Sequence, residues 1–166
     1  MDYVAESKRM FDDGDYQWKN ALAFDLHHRN PLLAAQWAIL CAERLLTLRF
    51  PDRLPDLLKD IDSAKIRVNS PPDADDPIGP EYEIWCRPNR DAPQTAMSKI
   101  FTAIRELHQR SNCVVASSAV IANLVADDWG GISGTCTSIE CFDIVLQSYY
   151  DVLHANATNP ENENVG

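Results

Sequence analysis

Residues 32–48 have the sequence LLAAQWAILCAERLLTL, and this stretch decides the fold class of the chain. Glu43 and Arg44 are its only charged residues. A helix that is apolar around most of its circumference belongs in the interior of a helical domain, with neighbours on several sides. Residues 111–126 contain no charged residue and predict a second helix of this kind. Two such helices in 166 residues predict an all-α protein, and both helices are expected to lie at the centre of its fold.

Helical spacing of apolar residues extends this prediction along the chain. Asn30 and Pro31 favour a helix start, since asparagine is a good N-cap and proline fits the first helical position. Asp52 is the expected N-cap of the next helix, and Gln94 or Thr95 is expected to open the one after it. The predicted helices cover about residues 2–11, 15–28, 31–49, 54–67, 95–110, 112–127 and 137–156.

These six or seven helices are expected to form one domain over residues 1–157, as an irregular bundle or as stacked helix pairs. The polar residues 158–166 are expected to be a flexible tail. The apolar stripes predict a shared core, and the residues assigned to it are Trp37, Leu40, Cys41, Ile104, Val120, Leu124, Phe142 and Leu146.

Residues 69–93 interrupt the helical pattern. They contain six of the ten prolines, which precludes a regular helix. We expect a crossover between two helical halves, and a connection of this length is either functional or partly mobile.

The chain is acidic, with 25 acidic and 15 basic residues and a net charge of −10. This charge repels nucleic-acid phosphates and anionic membrane surfaces, so neither is expected as a partner. It would attract a basic protein and speed the encounter. Alternatively, the charge only maintains solubility.

The five cysteines are an odd number without a CxxC pair, which argues against a disulfide framework. The N-terminus lacks the pattern of a signal peptide, and residues 111–126 are too few to span a bilayer. We therefore expect a cytoplasmic protein with reduced thiols.

The sequence offers no strong chemical motif. His27 and His28 are adjacent and point about 100° apart on a helix, so they suit a helix C-terminus better than a metal ion. Cys136 and Cys141 have no matching second ligand pair. No catalytic residue, metal or cofactor is predicted. Arg44 of the Glu43-Arg44 pair lies on an apolar stripe, so it is expected to be partly buried and to form a structural salt bridge to a neighbouring helix; a polar pocket at that position is the alternative.

Acidic residues beside aromatic ones form the candidate partner surface. Such clusters speed the encounter with a basic protein, while buried aromatic side chains hold the complex. For Trp129 the alternative is that it closes the edge of the core. The candidate residues are Asp73, Asp75, Asp76, Glu81, Tyr82, Glu83, Trp85, Asp127, Asp128 and Trp129.

One stretch resembles a known group of proteins. It consists of WAILCAERLL at 37–46, PDRLP at 51–55 and the helix at 57–66. These residues resemble small helical immunity proteins of bacterial polymorphic toxin systems, in which a W-A-x-x-C-A-E-x-x-L helix precedes an Asp/Arg/Pro turn. The chain departs from that group in its long proline-rich segment and in Asp60 and Asp62, where the group has alanines.

The resemblance implies an all-helical, non-enzymatic protein that binds and inhibits a toxin. A helical scaffold or adaptor for another protein partner is the alternative, because the same features allow it. An enzyme is the third hypothesis, and no catalytic constellation in the sequence supports it.

Overall fold

A computed structural model of the chain describes residues 1–70, 91–125 and 138–157. Within these ranges the chain forms seven α-helices and no β-strand. The protein is an all-α helical bundle, so the predicted fold class is confirmed. The helices are α1 (Tyr3–Asp12), α2 (Trp18–Arg29), α3 (Pro31–Arg49), α4 (Leu54–Asn69), α5 (Ala92–His108), α6 (Val114–Val125) and α7 (Ile139–Ala157).

The start of α3 confirms the sequence signal. The Asn30 side chain accepts a hydrogen bond from the Leu32 amide at 3.1 Å, and Pro31 is the first helical residue. The predicted cap of α4 is wrong: Arg53, not Asp52, is the N-cap residue, and it makes no side-chain cap hydrogen bond.

Helix α5 begins earlier than Gln94 or Thr95, because Asp91 forms a capping box with Gln94. The Gln94 amide donates to Asp91 Oδ1 at 2.9 Å, and the Gln94 side chain accepts from the Asp91 amide at 3.1 Å. This reciprocal pair satisfies two backbone N–H groups that the first helical turn would leave free. Asp91 also pairs with Arg53, so α4 and α5 begin at the same end of the bundle.

Helix α3 is the centre of the molecule and contacts α2, α4, α5, α6 and α7. Trp37 is fully buried, and its indole Nε1 donates to the carbonyl of Val145 in α7 at 3.2 Å. In the described part of the chain, α3 is the one helix long and apolar enough to cross a membrane by length and composition, but more than half of that stretch is buried inside the bundle. Its apolar surface is therefore used for helix packing.

Six of the eight predicted core side chains are buried in one cluster, and they are Trp37, Cys41, Ile104, Val120, Leu124 and Phe142. The assignment of Leu40 and Leu146 to the interior is wrong, because both are only partly buried. Each lies at the edge of a buried helix face: Leu40 precedes the buried Cys41 in sequence, and Leu146 follows the buried Val145.

Polar contacts fasten α7 to the rest of the bundle. Arg44 of α3 pairs with Asp151 at 2.7 Å and donates to Ser148 Oγ at 3.1 Å, which confirms a structural role for this arginine. Deeper in the bundle, the Tyr149 hydroxyl donates to the buried Asp25 carboxylate of α2.

Candidate functional site

The candidate partner surface falls on residues that the structure does not describe. This surface therefore remains a prediction, which the described helices do not test. The residues concerned are Asp73, Asp75, Asp76, Glu81, Tyr82, Glu83, Trp85, Asp127, Asp128 and Trp129.

The described residues form a different candidate site, a cleft of about 280 Å³ between α2 and α6. One wall is made by the first turn of α2 and by Tyr16, two residues before this helix, and the other by the outer face of α6. The cleft is mostly apolar and open to solvent at Val115, which is 79% exposed. Its principal lining residues are Tyr16, Lys19, Asn20, Val115, Ser118 and Ala122.

Lys19 is the most unusual residue of this α2–α6 cleft, because it is a lysine that is only 6% exposed. Its Nζ atom donates to the carbonyl oxygen of Tyr16. The same atom lies 5.5 Å from the Tyr16 ring centroid and 5.6 Å from the Trp18 ring centroid, within reach of a cation–π interaction. A carbonyl dipole and two aromatic faces thus hold the ammonium group.

Burial lowers the pKa of Lys19 to about 8, because the low-dielectric surroundings disfavour the charged form. The negative charge of Asp15 acts in the opposite direction and raises this pKa. Among residues 1–70, 91–125 and 138–157, no carboxylate forms a salt bridge with Lys19. A buried, perturbed ionisable group inside a cleft marks a candidate functional site.

Ser118 adds a second polar group to the apolar wall of α6. It is 4% exposed, and its Oγ atom has no hydrogen-bond partner within the described residues. A buried hydroxyl without a partner costs about 1–3 kcal/mol, so such groups call for an explanation. The same burial leaves almost none of the surface of this oxygen open to the cleft.

Sequence reasoning missed Lys19, although a signal was present. Lys19 precedes Leu22 by three residues and Leu26 by seven, which places it on the buried side of α2. The Ser7 hydroxyl donates to the Trp18 carbonyl at 2.7 Å, so α1 packs over the start of α2 and helps to remove this turn from water. Ser118 carried no signal, because nothing in the charge-free run shows which side of α6 would stay open.

The other reactive groups of the described residues have structural surroundings. Burial raises the pKa of the Cys113 thiol to about 11 and raises that of Cys41 further. Burial and the neighbouring Asp25 carboxylate raise the pKa of Tyr149 above its usual range. Thiols and phenols shifted in this direction stay protonated at neutral pH and are poor nucleophiles.

The histidine pair lies in the last turn of α2, where the ring of His28 stacks on Phe24 at 6.2 Å. The described part of the chain contains no group of three histidine, cysteine, aspartate or glutamate residues that could hold a metal. Cys136 lies outside the described residues.

Two larger clefts, of about 630 and 460 Å³, lie at the ends of helices. Asn30 lines both, and Asn112 lines the smaller one. Both side chains already cap helices, since Asn30 accepts from the Leu32 amide and Asn112 accepts from the Val114 amide. The α2–α6 cleft is distinguished from these two by its buried ammonium group.

A comparison of the chain with protein-family models, curated proteins and solved structures finds no significant match.

Proposed function

We propose that this protein is a non-enzymatic, cytoplasmic immunity or inhibitor protein that binds a basic toxin domain. The observation that carries the proposal is the distribution of charge along the chain. The resemblance around Trp37-Ala-Ile-Leu-Cys-Ala-Glu supports the same class.

The negative charge is concentrated outside the described helices. Residues 1–70, 91–125 and 138–157 contain 16 acidic and 13 basic residues, a net charge of −3. Since the whole chain has 25 acidic and 15 basic residues, the remaining segments hold 9 and 2, a net charge of −7. Most of the excess charge thus belongs to 71–90, 126–137 and 158–166.

This distribution favours a partner over a purely solubilising role. A purely solubilising charge can be spread evenly along the chain, whereas an excess of one sign in a few segments produces a local potential that steers an oppositely charged partner. Two of the three acidic segments also contain tryptophan, Trp85 and Trp129. Tryptophan is among the residues that most often anchor interfaces.

Charge reversal tests the proposal with a basic toxin domain that the wild-type protein neutralises on co-expression. Asp127→Lys/Asp128→Lys should slow association about tenfold or more at low salt and much less at high salt, because salt screens the steering field. Glu81→Lys/Glu83→Lys should act in the same direction. The matched control is Asp52→Lys/Asp62→Lys, which changes the net charge equally at exposed positions of the helical body. The control should leave the association rate within about twofold of wild type.

Co-expression separates an immunity protein from an adaptor. The toxin alone should stop growth, and the wild-type protein should restore it. Binding without rescue would identify a scaffold or adaptor and contradict the proposal. An equal loss of association rate in the control and the test variants would show that only total charge matters.

A further inference from the structure

The α2–α6 cleft has features that toxin binding by the acidic segments does not require. Its walls are apolar, its position is on the described helices, and its two buried polar side chains are Lys19 and Ser118. We infer that this cleft is a binding site for a small monocarboxylic acid with an apolar body, whose carboxylate pairs with Lys19 Nζ.

The charge of the site selects an anion. The ammonium group of Lys19 is removed from water, and within the described residues it contacts a carbonyl dipole and two aromatic rings but no carboxylate. Helix α6 has no charged residue, and on α1 the arginine Arg9 is paired with Glu6 and Asp13. Asp15 is the carboxylate that acts on Lys19 through space. A bound anion would provide the direct counter-charge that a buried ammonium needs.

The donor set favours a carboxylate over a phosphate. Lys19 Nζ keeps further N–H donors after bonding to Tyr16, whereas Ser118 Oγ has almost no surface open to the cleft. One ammonium group suits a singly charged carboxylate. A phosphate carries more charge and more acceptor oxygens, and the apolar walls would leave most of these unpaired.

The walls and the volume define the rest of the ligand. Tyr16, Val115 and Ala122 offer apolar surface next to the polar pair. A volume of about 280 Å³ lies at the lower end of the range for small-molecule sites. An aromatic or short aliphatic acid fits this size, and benzoate is a suitable probe.

The test is a titration of the whole protein with benzoate, followed by side-chain NMR of lysine and by thermal denaturation. We expect a dissociation constant on the order of 1 mM at pH 7, given the few atoms of the probe. Benzyl alcohol, which lacks the charge, should bind at least about tenfold more weakly than benzoate. Because the anion binds the protonated amine, affinity for benzoate should be roughly tenfold lower at pH 9 than at pH 7.

Variants assign the site. Lys19→Met keeps most of the aliphatic side chain but removes the charge, and it should weaken benzoate binding about tenfold or more. Lys59→Met makes the same change at an exposed lysine and should bind like wild type. Circular dichroism establishes that each variant is folded before titration.

Three results would overturn the inference. The first is equal benzoate affinity in wild type and Lys19→Met. The second is an absence of binding at about 20 mM, well above the expected dissociation constant. The third is equal affinity for benzoate and benzyl alcohol, which would mean that the cleft only takes up apolar compounds. None of these results bears on toxin binding, so the two proposals fail independently.

Discussion

Helices α3 and α6 share one sequence signature, an apolar surface on all sides, but they use it differently. Helix α3 contacts five other helices, and most of its apolar side chains are buried between them. Helix α6 contacts α2, α3 and α5, yet leaves Val115 exposed beside the α2–α6 cleft. The comparison shows that an all-round apolar helix predicts either burial on most sides or one buried face and one open face. The open face is where a binding site can lie.

The largest expected effect concerns the covered helix. Trp37→Ala removes the largest side chain of α3 together with its hydrogen bond to Val145, and it should lower the free energy of unfolding by roughly 3–5 kcal/mol. Leu48→Ala is the matched change at the exposed edge of the same helix and should cost less than about 1 kcal/mol. Chemical denaturation measures both. Similar losses for the two variants would show that α3 is not the centre of the fold.

A second effect of opposite sign is expected at the cleft. Lys19→Met removes a buried charge and should stabilise the protein by roughly 1–3 kcal/mol at pH 7, measured against Lys59→Met. The pKa of Lys19 is about 8 in the native state and about 10.4 in an unfolded chain, so the unfolded chain binds more protons between these values. Wild-type stability should therefore gain a contribution as the pH rises from about 8 to 10, and Lys19→Met should lack it. Destabilisation by this substitution would mean that the ammonium is satisfied where it lies.

The smallest effect distinguishes the two faces of α6. Val115→Ser should change the free energy of unfolding by no more than about 0.5 kcal/mol, because Val115 is exposed. The same substitution at the fully buried Val120 should cost roughly 2–4 kcal/mol. Thermal denaturation of the two variants measures both changes in stability. A large loss for Val115→Ser would mean that the outer face of α6 is covered.

The sequence was sufficient for α3 and insufficient for α6, for a physical reason. Asn30 and Pro31 fix the start of α3 by local hydrogen bonding and backbone restriction, and both act within a few residues. Which side of α6 stays open depends on how α2 packs against it, and hydropathy does not contain that information. The same limit explains Asp91, whose capping box lies in a proline-rich segment that predicts no helix start.

The candidate site shows a related contrast. The acidic partner residues were predicted from their type and clustering, and they lie outside the described residues. Lys19 was missed because a single lysine inside an amphipathic helix is ordinarily solvated at its tip. Only the packing of α1 and α6 around the start of α2 shows that its ammonium group is buried.

The most direct test of this account is the pKa of Lys19, measured by NMR titration of protein labelled in its lysine side chains. The Lys19→Met spectrum assigns the signal. A value of about 8 for Lys19 is expected, because burial disfavours the charged form. A value near the usual 10.4 would contradict the account, because it would mean that water or a counter-charge already satisfies this amine.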